Sequence, residues 1–271
     1  MNAKKAAFVK TVKEYYASSG RHDLPWRHTA DPYKIAVSEI MLQQTQVGRV
    51  IEKYSEFLRA FPTLPALAQA PLQQVLLLWS GLGYNRRARF LQQMAVAIAA
   101  EHKGIFPKDF NTLLALPGIG NYTAGAISAF AYNQPHVIIE TNIRTVYLHH
   151  FFKDSAERVS DKELLELIKE TLDMDNPREW YWALMDYGSH LKAQGIQIHR
   201  TSKQYKKQSA FKGSVREVRG GILKIITKEK ATAAQLQKAL SFEKERIAEA
   251  LKTLINEKFI QKKGMYYSIA E

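Results

Sequence analysis

Apolar residues recur at helical spacing through the first 190 positions, and no segment there alternates convincingly with a period of two. Phe8, Val12, Tyr15 and Tyr16 follow the helical period, and Gly20 comes after them as a stop signal. Asp31-Pro32 supplies an N-cap and an N1 proline for a helix that the pattern carries through Val47. The same spacing predicts helices over 50–61, 71–79, 86–103, 109–116, 122–131, 161–173 and 178–191, with prolines and glycines at the joins. The body, residues 1–191, is therefore predicted to be all-α.

Beyond it the plan changes. Residues 192–221 are polar, basic and poor in aliphatic side chains, and read as a connector. In 222–271 helical patterns at 221–227, 232–240 and 243–257 precede two strand-like runs, 259–262 and 265–269, joined at Lys263-Gly264. Three helices and a hairpin in that order resemble a winged-helix module. Such modules bind DNA through the second helix of the helix-turn-helix pair and a basic wing, and many serve as protein docking units.

Composition narrows the partners. The 271 residues are 46% hydrophobic with a mean hydropathy of −0.30, which predicts a globular, soluble chain. Its apolar runs fall short of the roughly 20 residues of a membrane span, and the N-terminus lacks a signal-peptide pattern, so a cytoplasmic protein that meets no membrane is expected. The formal net charge is +13 and the pI about 9.7, which favours a polyanionic partner. From residue 201 onward sixteen Lys or Arg face seven Glu and no Asp, so most of the excess lies there. There is no Cys, which excludes disulfides, thiolate nucleophiles and Cys-ligated iron–sulfur clusters, and the eight His show no metal spacing.

Two stretches carry candidate chemistry. Pro117-Gly118-Ile119-Gly120 sits between two helical patterns; its glycines let backbone approach a ligand, and its amides open onto a helix N-terminus that favours an anion. Glu140-Thr141-Asn142 is a polar trio in an otherwise apolar run. Charged groups in such places are usually capping or functional, and Thr141 or Asn142 could cap a helix starting near Ile143. Upstream, Glu39 is flanked by apolar residues and followed by Gln43, Gln44, Thr45 and Gln46. Such a carboxylate lies either on a solvated helix face or partly desolvated at a cleft, where desolvation would raise its pKa and make it a general acid near neutral pH. Amides in a row suit hydrogen bonds to bases and sugars. A carboxyl pair with one acid and one ionised member is the equipment for cleaving a glycosidic bond. Arg86, Arg87 and Arg89 read equally as phosphate contacts or as a solvated helix face, and the role of His22 stays open.

Leu24-Pro25-Trp26, the run from Ser38 to Val47, Trp79-Ser80-Gly81-Leu82-Gly83-Tyr84 and the run from Leu116 to Ile127 together resemble the adenine DNA glycosylases of the MutY type. The resemblance covers about residues 8–190. It implies a mainly α, two-lobed helix-hairpin-helix body, with residues about 30–135 in one lobe and the N-terminus plus 136–191 in the other. It implies Glu39 as the acid that protonates adenine at N7 and Glu140 as the carboxylate beside the sugar cation. Tyr122 and Asn142 would support that carboxylate and the leaving base. Leu24 and Trp26 would wall the adenine pocket. Gln43, Gln44 and Tyr84 would contact DNA, the last two as wedges beside the orphaned base, and Pro117, Gly118, Ile119 and Gly120 would grip a phosphate. Tyrosine at 122 stands where bifunctional relatives carry a nucleophilic lysine, so base removal with little strand cleavage is expected.

Three departures qualify the resemblance. Glu140 replaces an aspartate, the cluster cysteines are absent, and the C-terminal module is not the Nudix-like domain with which many relatives read 8-oxoguanine. The expectation is a monomeric, nucleoid-associated enzyme that removes adenine opposite G or 8-oxoguanine from duplex DNA and leaves an abasic site. It needs no cofactor, with a monovalent cation at the hairpin backbone left open. The alternatives are a glycosylase for uracil or thymine opposite G, and a catalytically weak mismatch-binding protein.

Overall fold

In the computed structural model, residues 2–155, 157–196, 198–205 and 210–270 are described, His199 and Arg200 by backbone alone. Part of the stretch read as a connector, Gln197 and residues 206–209, lies outside them. Two compact units divide the chain: Met1–Glu39, Pro107–Ala115 and Ile119–Lys207 form one, and Ile40–Phe106, Leu116–Gly118 and Gln208–Glu271 the other.

The first unit contains α1 (Ala3–Ser19), most of α2 (Pro32–Leu42), and, further along the chain, α7 to α11. Those five are α7 (Phe110–Ala115), α8 (Asn121–Tyr132), α9 (Thr141–Phe151), α10 (Asp161–Thr171) and α11 (Pro177–Ala193). The chain marks several starts with caps: Asn2 accepts from the Lys5 amide, Ser160 and Glu163 form a capping box, and Asn176 precedes the N1 proline of α11. Phe8 of α1 packs edge-on against Trp180 of α11 and tilted against Tyr147 of α9, and all three are buried. These rings fix α11 between its neighbours, which matters for the residues it presents to α9.

The second unit contains α3 (Val47–Ala60), α4 (Leu64–Gln69), α5 (Leu72–Trp79) and α6 (Arg86–Glu101). Its buried stripe includes Val50, Tyr54, Phe57, Leu67, Trp79, Leu91 and Met94. It also contains the C-terminal elements α12 (Val215–Ile226), β1 (Ala231–Thr232), α13 (Ala233–Leu240), α14 (Lys244–Asn256), β2 (Ile260–Lys263) and β3 (Tyr266–Ile269). The strands form an antiparallel sheet in the order β1-β3-β2, with Lys263 opposite Tyr266 across a two-residue loop that Gly264 enters at φ 62°.

Four boundaries depart from the sequence pattern. The helix read through Val47 stops at Leu42, and the chain turns through Gln44 at φ 56° before α3. No Gly or Pro marks that break. Its cause is Arg87 on α6, whose Nη1 donates to the carbonyls of Ile40, Met41 and Gln43 at 2.6–2.9 Å, while Nη2 donates to Thr45 Oγ1, Leu82 O and Gly83 O at 3.0–3.1 Å. A cation thus takes the carbonyls that a continued helix would have used. α4 was hidden because Thr63 caps it beside a Pro at its start. α12 begins at Val215, under a Ser214 cap that the basic composition obscured. β1 is too short to show a period.

Arg87 is buried, and burial lowers its pKa to about 10 against a smaller opposing effect of Tyr84. This corrects both readings of Arg87, as phosphate contact and as solvated face. Arg87→Met should lower the stability of the chain by about 2–4 kcal/mol, because it takes the donor from the Ile40 and Met41 carbonyls in the interior, whereas Gly83 O keeps its bond from Trp79 Nε1. Urea unfolding would check it; a change below about 1 kcal/mol would make the guanidinium dispensable.

Candidate active site

Glu39 lies in the last turns of α2 and is 5% exposed. The Tyr122 hydroxyl, from the first turn of α8, donates to Glu39 Oε2 at 2.8 Å. Burial raises the Glu39 pKa, the Tyr122 bond lowers it, the charge of Glu140 raises it and Arg27 lowers it; the outcome is about 7. The same burial and the two carboxylates hold the Tyr122 pKa well above the ordinary tyrosine range, so its hydroxyl remains a donor. Two side chains 83 positions apart therefore form one proton-holding unit.

Glu140 is the N-cap of α9. Its Oε1 accepts from the backbone amides of Asn142 at 2.7 Å and Ile143 at 2.9 Å. Neither Thr141 nor Asn142 fills the capping role. Both hydrogen bonds go to one oxygen, and Oε2 receives none among the described residues. The carboxylate is thus anchored by one oxygen and offers the other. Asn142 contributes through its amide, while its Oδ1 accepts from Lys192 Nζ at 2.7 Å. Lys192 and Gly188 lie one turn apart on α11, and a methyl group at Gly188 would run into the Asn142 carbonyl. The missing Cβ lets α11 close against the polar trio. Burial lowers the Lys192 pKa, with an opposing effect of Glu140.

Leu24 and Trp26 are buried at a single 3-10 turn, Pro25–Arg27. Asp186 of α11 holds that turn: Arg27 forks onto both carboxylate oxygens at 2.7 and 2.8 Å, and Arg21 adds its Nε and backbone amide at 2.7 Å. Burial raises the Asp186 pKa, but the bonds and charges of Arg27 and Arg21 outweigh it and the carboxyl lies below its ordinary range. His22 is absorbed into the same corner, 3.0 Å from the Tyr16 carbonyl and tilted against the Tyr16 ring.

In the hairpin, Gly118 adopts φ 75° and has no room for a Cβ beside Phe90. Pro117 precedes it, and buried Ile119 follows. Gly120 is the N-cap of α8, extended, with open space at its Cβ position. The α8 amides there meet no side-chain cap, which leaves them to an anion from outside. The two glycines thus differ in purpose: the first shapes the turn, the second keeps the helix end accessible. Gln43, Gln44 and Tyr84 line one cavity of the second unit, with Tyr84 at φ 46°.

Sequence reasoning missed Asp186, Lys192 and Gly188 and misread Arg87. Arg87 had a readable signal, since it shares the 3.6-residue stripe of Leu91, Met94 and Ile98. Asp186 likewise interrupts the apolar face of α11. Lys192 was assigned to the connector, whereas α11 extends to Ala193.

Comparison with known proteins gives the class of this fold. Residues 37–170 match the model of the HhH-GPD superfamily base excision DNA repair proteins, and the chain belongs to that superfamily. Curated relatives that it resembles include adenine DNA glycosylases. That of Buchnera aphidicola subsp. Baizongia pistaciae is 36% identical over 210 residues, 75% of this chain and 60% of the relative. That of Mycolicibacterium smegmatis is 40% identical over 173 residues (62% and 58%), and that of Homo sapiens 36% over 198 residues (69% and 36%). The chain thus spans 60% or less of these relatives' lengths.

Among solved structures, a thermostable thymine-DNA glycosylase aligns with a TM-score of 0.62 and 25% identity, covering 74% of this chain and 96% of that one. A non-covalent endonuclease III–DNA complex aligns at 0.61 and 17%, covering 75% and 97%. Iron–sulfur ligation does not fit this chain: it has no Cys, and the described residues contain no group of three His, Asp or Glu suited to a metal. No helix among the described residues is long and apolar enough to cross a membrane.

Proposed function

We propose that this chain hydrolyses the N-glycosidic bond of adenine mispaired with G or 8-oxoguanine in duplex DNA, with residues 1–191 as the catalytic body. The observation that carries the reading is Glu39, a buried carboxyl whose pKa of about 7 keeps it substantially protonated at neutral pH while Tyr122 occupies one of its oxygens. With Oε2 accepting from tyrosine, Oε1 is the oxygen left to carry the acidic proton to adenine N7.

As the base leaves with its electron pair, positive charge grows on the sugar, and the unengaged oxygen of Glu140 supplies the opposing charge. Water then adds at C1′ and the product is an abasic site. The target nucleotide must leave the stack first, at a cost that a mismatch reduces. Leu24 and Trp26, on the turn held by Asp186, would wall the pocket for the flipped base. Tyr122 cannot form a Schiff base, so strand cleavage should be slight. The identity with adenine glycosylases, 36–40%, exceeds the 25% shared with the thymine-DNA glycosylase and favours adenine as the leaving base.

The test is single-turnover base release from duplexes carrying A, U, T or hypoxanthine opposite G or 8-oxoguanine. Adenine should be released and the others not. Release of uracil or thymine in preference would overturn the substrate, and binding without release of any base would overturn the enzyme.

A further inference from the structure

Lys192 is held where folding alone gains little from a cation. It sits in the last turn of α11, and its ammonium reaches the start of α9 to donate to Asn142 Oδ1 at 2.7 Å. A helix N-terminus carries partial positive charge and disfavours a lysine. The side chain is half-buried; burial lowers its pKa, Glu140 opposes that shift and the charge of Arg144 adds to it. Gly188, one turn earlier, already lets α11 close on the Asn142 backbone. The lysine is therefore not what brings the two helices together.

The atom it bonds is one end of an amide. Asparagine presents an acceptor oxygen and a donor nitrogen, and rotation about its last side-chain bond exchanges them at little cost. An ammonium has three donors and no acceptor, so only the oxygen can face Lys192. That settles the orientation of Asn142: its Nδ2 is turned from the ammonium and meets no acceptor among the described residues. Nor does Nδ2 belong to the buried polar atoms left without a partner, so it is open to a ligand. The backbone amide of the same residue donates to Glu140 Oε1, and Glu140 Oε2 takes no bond among the described residues. One helix start thus offers a free charged acceptor and a free donor.

We propose that Lys192 is a positioning residue: it selects the orientation of the Asn142 amide and so keeps a hydrogen-bond donor, instead of an acceptor, open to the bound nucleotide at the same helix start as the Glu140 carboxylate. A nucleotide offers acceptors in phosphate, sugar and base, and those of the leaving base gain electron density as the glycosidic bond breaks. A donor already turned outward needs no reorganisation at that moment. The proposal rests on the reading above that Glu140 faces the reacting sugar.

The experiment uses the full chain and single-turnover release of whichever base the duplex panel identifies. Lys192→Met keeps an apolar stem and removes the donor. It should lower the rate about tenfold and melt no lower than wild type, because the cation it removes opposes the fold. Lys192→Arg, also a donor only, should stay within about threefold of wild type. In an Asn142→Leu background, Lys192→Met should cost no more than about twofold further, since the group it orients is gone. In amide NMR spectra of the free chain, the Asn142 side-chain signal should move in Lys192→Met and hold its place in Lys192→Arg. A wild-type rate for Lys192→Met, or a full loss repeated in the Asn142→Leu background, would overturn the proposal. So would a fall in melting temperature that accompanies the fall in rate, which would make the lysine a fastener between helices. If wild type releases no base from any duplex, the reading above falls and the Asn142 signal decides the orientation by itself; an unmoved signal overturns it.

Discussion

Replacing Glu39 with Gln should lower the single-turnover rate of adenine release by about 10²–10⁴-fold and at the same time make the folded chain more stable. The two effects share one cause. A carboxyl raised from 4.5 to about 7 by burial is held protonated by the fold. Between those values the folded chain binds a proton that the unfolded chain has released, so stability falls as pH rises through the window and is not regained above it. A shift of that size corresponds to about 3 kcal/mol, and glutamine, which can still accept from Tyr122, escapes it. Glu39→Gln should therefore melt higher than wild type at pH 8 and equally at pH 4. The wild-type rate should be highest below pH 7 and decline about tenfold per unit above it, as the acid loses its proton; the residual rate of the variant should show no such decline. Scanning calorimetry at the two pH values and a pH series of single-turnover rates measure both. A variant that is inactive yet no more stable at pH 8 would mean that the fold does not raise the Glu39 pKa.

The sequence carried the helical body because buried helices impose a 3.6-residue period on their apolar positions, and Phe8 to Tyr16 or Leu91 to Ile98 display it without help from distant residues. It could not show the end of α2. The local pattern favours continuation through Val47, and the chain departs because Arg87, more than forty residues on, removes the carbonyls that continuation requires. The site divided along the same line. Glu39 and Glu140 stood out as carboxylates in apolar company. Tyr122 and Asn142 were named through the resemblance as supports of Glu140, but the bond from Tyr122 to Glu39 was not, since it depends on how α2 and α8 pack. Gly188 and Lys192 carry no signal of their own; each has meaning only through Asn142 on another helix. In the C-terminal module, the order of helices and strands was readable, whereas the grip of Arg216 on Tyr84 spans 132 positions and was not.

Glu140→Gln should reduce adenine release by about 10²–10³-fold while leaving the fold intact. The expectation follows from the division of labour between the two oxygens. The amide oxygen of glutamine can still accept from Asn142 and Ile143, so the cap of α9 survives; what disappears is the negative charge that the second oxygen would present to the sugar cation. Glu140→Ala would confuse the two, because it also strands both amides at the helix start. Glu140→Asp bears on the other question, whether the longer side chain is an accommodation or a defect. Aspartate is an excellent N-cap residue, but its carboxylate would sit about an ångström nearer the backbone, and misplacement on that scale can cost a large part of a rate. Because α11 is closed on Asn142 by Gly188 and Lys192, the backbone has little freedom to follow. Glu140→Asp should therefore be slower than wild type, about tenfold, yet faster than Glu140→Gln. Single-turnover rates for the three proteins, with circular dichroism to confirm folding, rank them. Wild-type rates for Glu140→Gln would remove this carboxylate from the chemistry and leave it as the cap of a helix alone.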